Sequence, residues 1–238
     1  VTEDATYTAQ FDSVVNKYTI SFNADGGSTV ESVTDDYNKV IVLPNASSSS
    51  KTGYTLIGWT DGTNNYGVGA EYIIVCDATL TAVWDANEYT ITFVDTGDVA
   101  YDTITKDYGE AVGTVAAPVK TGYTFAGWDA EIPATMPAEN VIITATWTIN
   151  QYTITFNTDG GSAVAPIELD YGTAIGTVTE PTKTGYTFAG WDTEIPATMP
   201  ADDITIKAKW TINQYTITFD TDGGSEIAPI KQDYNTDV

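Results

Sequence analysis

The 238-residue sequence predicts a mainly β protein made of tandem copies of one small module in an elongated head-to-tail array. Three observations carry this. Lys-Thr-Gly-Tyr-Thr-Phe-Ala-Gly-Trp-Asp occurs letter for letter at 120–129 and 183–192, with a looser copy at 51–59. Apolar residues alternate with Thr and charged residues over short runs, the period of two of a half-buried strand. No run shows the 3.6-residue apolar stripe of a helix.

In chain order, residues 3–11 align with 139–147, so 1–17 is read as the last strand of a truncated preceding repeat. Repeat modules follow at 18–88, 89–151 and 152–214, and 215–238 is the first hairpin of a truncated following repeat. Unpaired strand edges seek partners, so both terminal pieces are expected to dock.

Each module opens with a strand such as Tyr152-Thr153-Ile154-Thr155-Phe156, with Tyr, Ile and Phe on the face to be buried. Asp159-Gly160-Gly161-Ser162 supplies the positive φ of a tight hairpin, and Ile167, Leu169 and Tyr171 alternate on the returning strand. In the Gly-Tyr-Thr-Phe-Ala-Gly-Trp strand, Tyr186 and Phe188 share a face. Trp191 joins them on the core side only through a bulge at Gly190. The loop after it has Pro196 and Pro200, which bar it from a sheet interior, while Ile195 and Met199 can anchor it. The closing strand puts Ile204, Ile206, Ala208 and Trp210 on one face. Four residues without Gly or Pro, such as Thr148-Ile149-Asn150-Gln151, join one module to the next and leave little room to swing. If first and last strands run parallel, the chain enters a module at one end and leaves at the other.

Modules of about 60 residues have marginal cores. The six Trp divide evenly, as Trp59 and Trp84, Trp128 and Trp147, Trp191 and Trp210, and suffice to fill them. Cys76, the single cysteine, is expected to fill a strand-side pocket; with one cysteine no disulfide can staple the modules.

Nine Lys stand against 33 acidic residues, a formal net charge of −24, which disfavours nucleic acid and anionic lipid. No apolar run in this fragment is long enough for a membrane helix. The chain has neither His nor Arg, which removes Ser-His-Asp, Cys-His and imidazole-zinc chemistry. Carboxylate pairs remain, but a glycosidase pair needs a pocket that keeps one acid protonated, and modules this small have little depth. Asp220-Thr221-Asp222-Gly223 looks like the opening of a calcium loop but lacks the later ligands, and a turn explains it. The expectation is therefore no enzyme, no cofactor and no metal.

Tyr-Thr-Ile-Thr-Phe, the Asp-Gly-Gly turn, Lys-Thr-Gly-Tyr-Thr-Phe-Ala-Gly-Trp, Met-Pro-Ala and Ile-Thr-Ile-Lys-Ala-Lys-Trp together resemble the Listeria–Bacteroides repeat of internalin-type B-repeat regions. The resemblance covers nearly the whole chain. It implies a β-grasp-like module, export to a bacterial cell surface, and a stalk or adhesive role without catalysis, with a host or neighbouring-cell surface protein or glycan as partner. Module one departs from the others, carrying Ser47-Ser48-Ser49-Ser50 and a loop from Asp61 to Gly69 in place of the proline loop. Two readings of the aromatics stay open. Trp59, Trp128 and Trp191 are core residues of a spacer, or they form a carbohydrate-stacking platform of a glycan-binding adhesin.

Overall fold

The computed structural model describes residues 2–10, 14–96 and 99–237. The described residues are all β, with no helix among them. Two compact units are formed, one from Val1–Val115 and Trp128–Thr144, the other from Ala116–Gly127 and Ala145–Val238.

Repeat one contains β1 (Lys17–Asn23), β2 (Val33–Asp36), β3 (Val40–Val42), β4 (Tyr54–Thr60), β5 (Asn65–Gly67), β6 (Glu71–Ile73) and β7 (Ala78–Ala86). Its main sheet has the order β2-β1-β7-β4-β5, and β3 pairs with β6 in a separate ribbon. Repeat two has β8 (Glu88–Val94), β9 (Ala100–Asp107), β10 (Tyr123–Trp128) and β11 (Val141–Ile149), ordered β10-β11-β8-β9. Repeat three has β12 (Gln151–Asn157), β13 (Ile167–Asp170), β14 (Tyr186–Trp191) and β15 (Ile204–Ile212), ordered β13-β12-β15-β14. Residues 214–233 form the hairpin β16 (Gln214–Ile217) and β17 (Ile230–Asp233).

In every repeat the opening and closing strands pair in parallel at the sheet centre: β1 with β7, β8 with β11, β12 with β15. The alternation read from the sequence places their inward residues. Ile20 and Leu80, Ile91 and Ile143, and Ile154 and Ile206 are buried and seed three separate cores. Parallel pairs are stable where their face is covered, and here the cover is the connection that precedes the closing strand. In repeat three it is the proline loop, plugged by the buried Met199, with Met136 in the same role in repeat two. The bulge is present: Phe188 faces Trp210 and Trp191 faces Ala208, so two residues oppose one and the indole turns back to the core.

Three expectations are corrected. Cys76 is exposed, in a bend after β6, not in a strand-side pocket. Ile74 fills the core there, and the chain must turn so that Asp77 Oδ1 can accept the Thr19 N–H at 2.7 Å. The Asp-Gly-Gly segment of repeats one and three turns tightly, Gly161 N–H donating to Thr158 O at 3.0 Å, but it is not a hairpin tip. Pairing resumes only at Ile154 with Ile167. The segment is held down on an indole instead, since Trp210 Nε1 donates to Thr158 O and Trp84 Nε1 to Ala24 O, both at 3.0 Å. A Cβ on Gly27 or Gly161 would collide with the corresponding Trp ring. Finally, residues 4–10 lie in no strand and are exposed, while Phe11, the end of the strand expected there, lies outside the described residues.

Candidate functional site

The feature that recurs with the least variation is a joint between successive repeats. Its first half is the Gly-Tyr-Thr start of the bulged strand. Its second is the tyrosine that follows the returning strand of the next repeat, with the linker asparagine between them. Gly53, Gly122 and Gly185 are buried and have φ of +78°, +77° and +77°. A side chain at any of them would fall inside the ring of Tyr108, Tyr171 or Tyr234. Glycine is needed there twice over, for its backbone conformation and for the ring lying on it. The tyrosine beside each glycine meets the incoming ring edge-on: Tyr54 with Tyr108 at 5.5 Å, Tyr123 with Tyr171 at 6.0 Å, Tyr186 with Tyr234 at 6.4 Å. T-shaped pairs of this kind contribute about 0.5–1.5 kcal/mol beyond burial.

The asparagine ties the two halves. Asn87 N–H donates to Gly53 O at 2.8 Å, its carbonyl accepts the Tyr108 N–H at 2.8 Å, and its side-chain oxygen accepts the Thr55 hydroxyl at 2.6 Å. Asn150 and Asn213 repeat the set with Gly122, Tyr171 and Thr124, and with Gly185, Tyr234 and Thr187. Three bonds on one short linker residue, repeated three times, leave few free torsions between adjacent repeats. The sequence reading found the short linkers but missed the joint, because its partners lie far apart along the chain. The recurrence of one Asn per linker, at 16, 87, 150 and 213, was the available signal.

Within each repeat a lysine clasps the second Trp series. Lys51 Nζ lies 4.8 Å from the Tyr54 ring centre and 5.7 Å from that of Trp84, and donates to Asp25 O at 2.9 Å. Lys183 does the same with Tyr186, Trp210 and Asp159 O. Beside this clasp lie open clefts of about 640 Å³ next to Tyr123, Phe125 and Trp147, and about 510 Å³ next to Tyr186, Phe188 and Trp210.

Each of the three indoles named as alternative ligand contacts packs on a ring of its own core. Trp59 is fully buried against Phe22 at 4.8 Å and donates to Pro44 O at 3.0 Å. Trp128 and Trp191 are half-buried, packed on Phe93 and Phe156 of their own cores. In the loop special to repeat one, Asp61 accepts the N–H and side-chain amide of Asn64, the Thr63 N–H and the Tyr66 hydroxyl. These bonds, the Asn64 N–H first, hold its carboxyl well below the usual range, and Asp61 in turn pushes the Tyr66 hydroxyl up. Among the described residues no group of three His, Cys, Asp or Glu is placed to hold a metal ion. No helix among them is long and apolar enough to cross a membrane.

The model of the Listeria-Bacteroides repeat domain matches this chain three times, at residues 18–83, 89–145 and 152–211. The chain belongs to this repeat family. Relatives include a protein named "Putative Gly-rich membrane protein" from Evansella cellulosilytica, 30% identical over 98% of the chain. Internalin H of Listeria monocytogenes is 38% identical over 46% of it. The chain spans 29% of the length of the first relative and 23% of that of Internalin H. In the Listeria-Bacteroides repeat as it occurs here, the Gly-Tyr-Thr start of the bulged strand and the linker asparagine act together as the connecting joint.

Proposed function

We propose that this chain is a non-catalytic spacer region of a bacterial cell-surface protein. The modules 18–88, 89–151 and 152–214 act as its building units in an elongated array, with weak multivalent contacts as a secondary role. The observation that carries this reading is the joint, built three times from the same glycine, tyrosine and asparagine contacts. Linkers tied in this way favour a semi-rigid connection over a flexible one, whereas a free linker would need the unbonded backbone of a Gly/Ser chain. Relatives named as membrane proteins and as an internalin support a place at the cell envelope. A net charge of −24 supports a surface that resists non-specific association with nucleic acid and anionic lipid.

Small-angle scattering of the chain and of a variant with residues 89–151 duplicated tests the spacer reading. The maximum dimension is expected to grow by about 20–30 Å per added repeat, the reach of its strands and loops. No growth would sink it. The glycan-adhesin reading makes a different prediction. Neutral oligosaccharides would then protect Trp128 and Trp191 fluorescence from a soluble quencher, whereas a spacer leaves quenching unchanged.

A further inference from the structure

Residues 215–237 carry only the opening hairpin of a fourth copy, without the bulged and closing strands that complete repeats one to three. A two-stranded hairpin by itself is marginal in water. Yet the contacts of this one match those of the complete repeats. Tyr234 N–H donates to Asn213 O at 2.9 Å, as Tyr171 does to Asn150. The Tyr234 ring covers Gly185, as Tyr171 covers Gly122. Gln214 Nε2 donates to Asp233 Oδ1 at 3.0 Å, as Gln151 does to Asp170.

From this we infer that the end of each repeat is a binding site for a β-hairpin, and that the hairpin alone carries the recognition of the next repeat. The site is the glycine, its neighbouring tyrosine and threonine, and the linker asparagine. The partner it fits is an antiparallel hairpin of this repeat type, with a tyrosine just past its returning strand to lay on the glycine. Everything added later in a repeat, including the different covers of repeats one and three, is unnecessary to the joint. The inference stands apart from the spacer reading, because a folded-back array would dock its hairpins through the same contacts.

Hydrogen exchange on the full chain tests it, read at the hairpin amides of Tyr215, Ile217 and Gln232, which face the partner strand, and at Ile206 in repeat three. In the parent chain the hairpin amides are expected to be protected. In Tyr234→Ala and in Gly185→Val they should exchange roughly tenfold faster or more, as a locally released segment does. Tyr234→Phe, which keeps the ring, should restore protection, and Ile206 should stay protected in Tyr234→Ala. Three results would overturn the proposal. One is a hairpin unprotected in the parent chain, and another is protection unchanged in Tyr234→Ala. The third is loss of Ile206 protection in that variant, which would make the hairpin part of repeat three's own fold.

Discussion

Repeat one and repeat three cover the same sheet face with different material. In both, the residue that opens the cover, an asparagine in one and a glycine in the other, is anchored by the same backbone pair: Asn38 N–H to Ile74 O and Ile74 N–H to Lys39 O in repeat one, Gly172 N–H to Met199 O and Met199 N–H to Thr173 O in repeat three. Ile74 and Met199 plug the two cores at that point. Around the plug the repeats diverge. Repeat one lays down the β3–β6 ribbon and a β4–β5 hairpin, and its Trp59 is wholly enclosed. Repeat three uses a proline loop that leaves Trp191 half-buried. The joints at the ends of the two repeats are nevertheless alike. A cover can be rebuilt as long as one backbone pair and one plug are kept, whereas the joint tolerates no such change because a ring lies directly on a backbone.

That contrast can be broken or sharpened by mutation. Trp59→Ala is expected to destabilise repeat one by about 3–5 kcal/mol. Trp191→Ala should cost repeat three only about 1.5–3 kcal/mol, since less of its ring is removed from water. Urea unfolding followed at the remaining indoles measures both, and equal losses would mean that the two covers shield alike. Gly53→Val and Gly185→Val should each cost about 2–4 kcal/mol, combining left-handed backbone with a blocked ring. The two costs should match despite the different covers; unequal thermal shifts would show that the cover reaches the joint.

Smaller effects concern single repeats. At the position facing the aspartate of the returning strand, repeat one has Lys17 with Asp36 at 2.9 Å and repeat three has Gln151 with Asp170. Repeat two sets Glu88 opposite Asp107. Like charges directly opposed weaken a sheet, so Glu88→Gln should stabilise repeat two by about 0.2–1 kcal/mol, with the gain shrinking in high salt. The smallest expected effect is confined to repeat one. Its Asp61 has a lowered pKa when folded, so its contribution is present above the ordinary carboxylate value of about 3.9. It is lost as pH falls below that value. Acid titration of stability should therefore show a component that Asp61→Asn removes, in repeat one alone.

Much of the fold was legible. Period-two alternation located the opening and closing strands, and the parity conflict at Trp191 required the bulge that Phe188, Trp210 and Ala208 display. Cys76 was misplaced because alternation was carried past the end of β6, where a hydrogen bond from Thr19 to Asp77 turns the chain. The Asp-Gly-Gly turn was read as a hairpin tip because its backbone demand is the same in either role. Only the indole beneath it distinguishes them.

By itself the sequence determined the repeat, its strands and the inward face of each, because these follow from local sterics and from a pattern of burial that every copy restates. It could not determine which of the recurring tyrosines and asparagines face their own repeat and which face the next. Tyr54 and Tyr108, or Tyr186 and Tyr234, meet only after two sheets have formed and come into contact. Tertiary structure decided that, because the preference of a ring for lying on a bare glycine backbone exists only once both surfaces are in place.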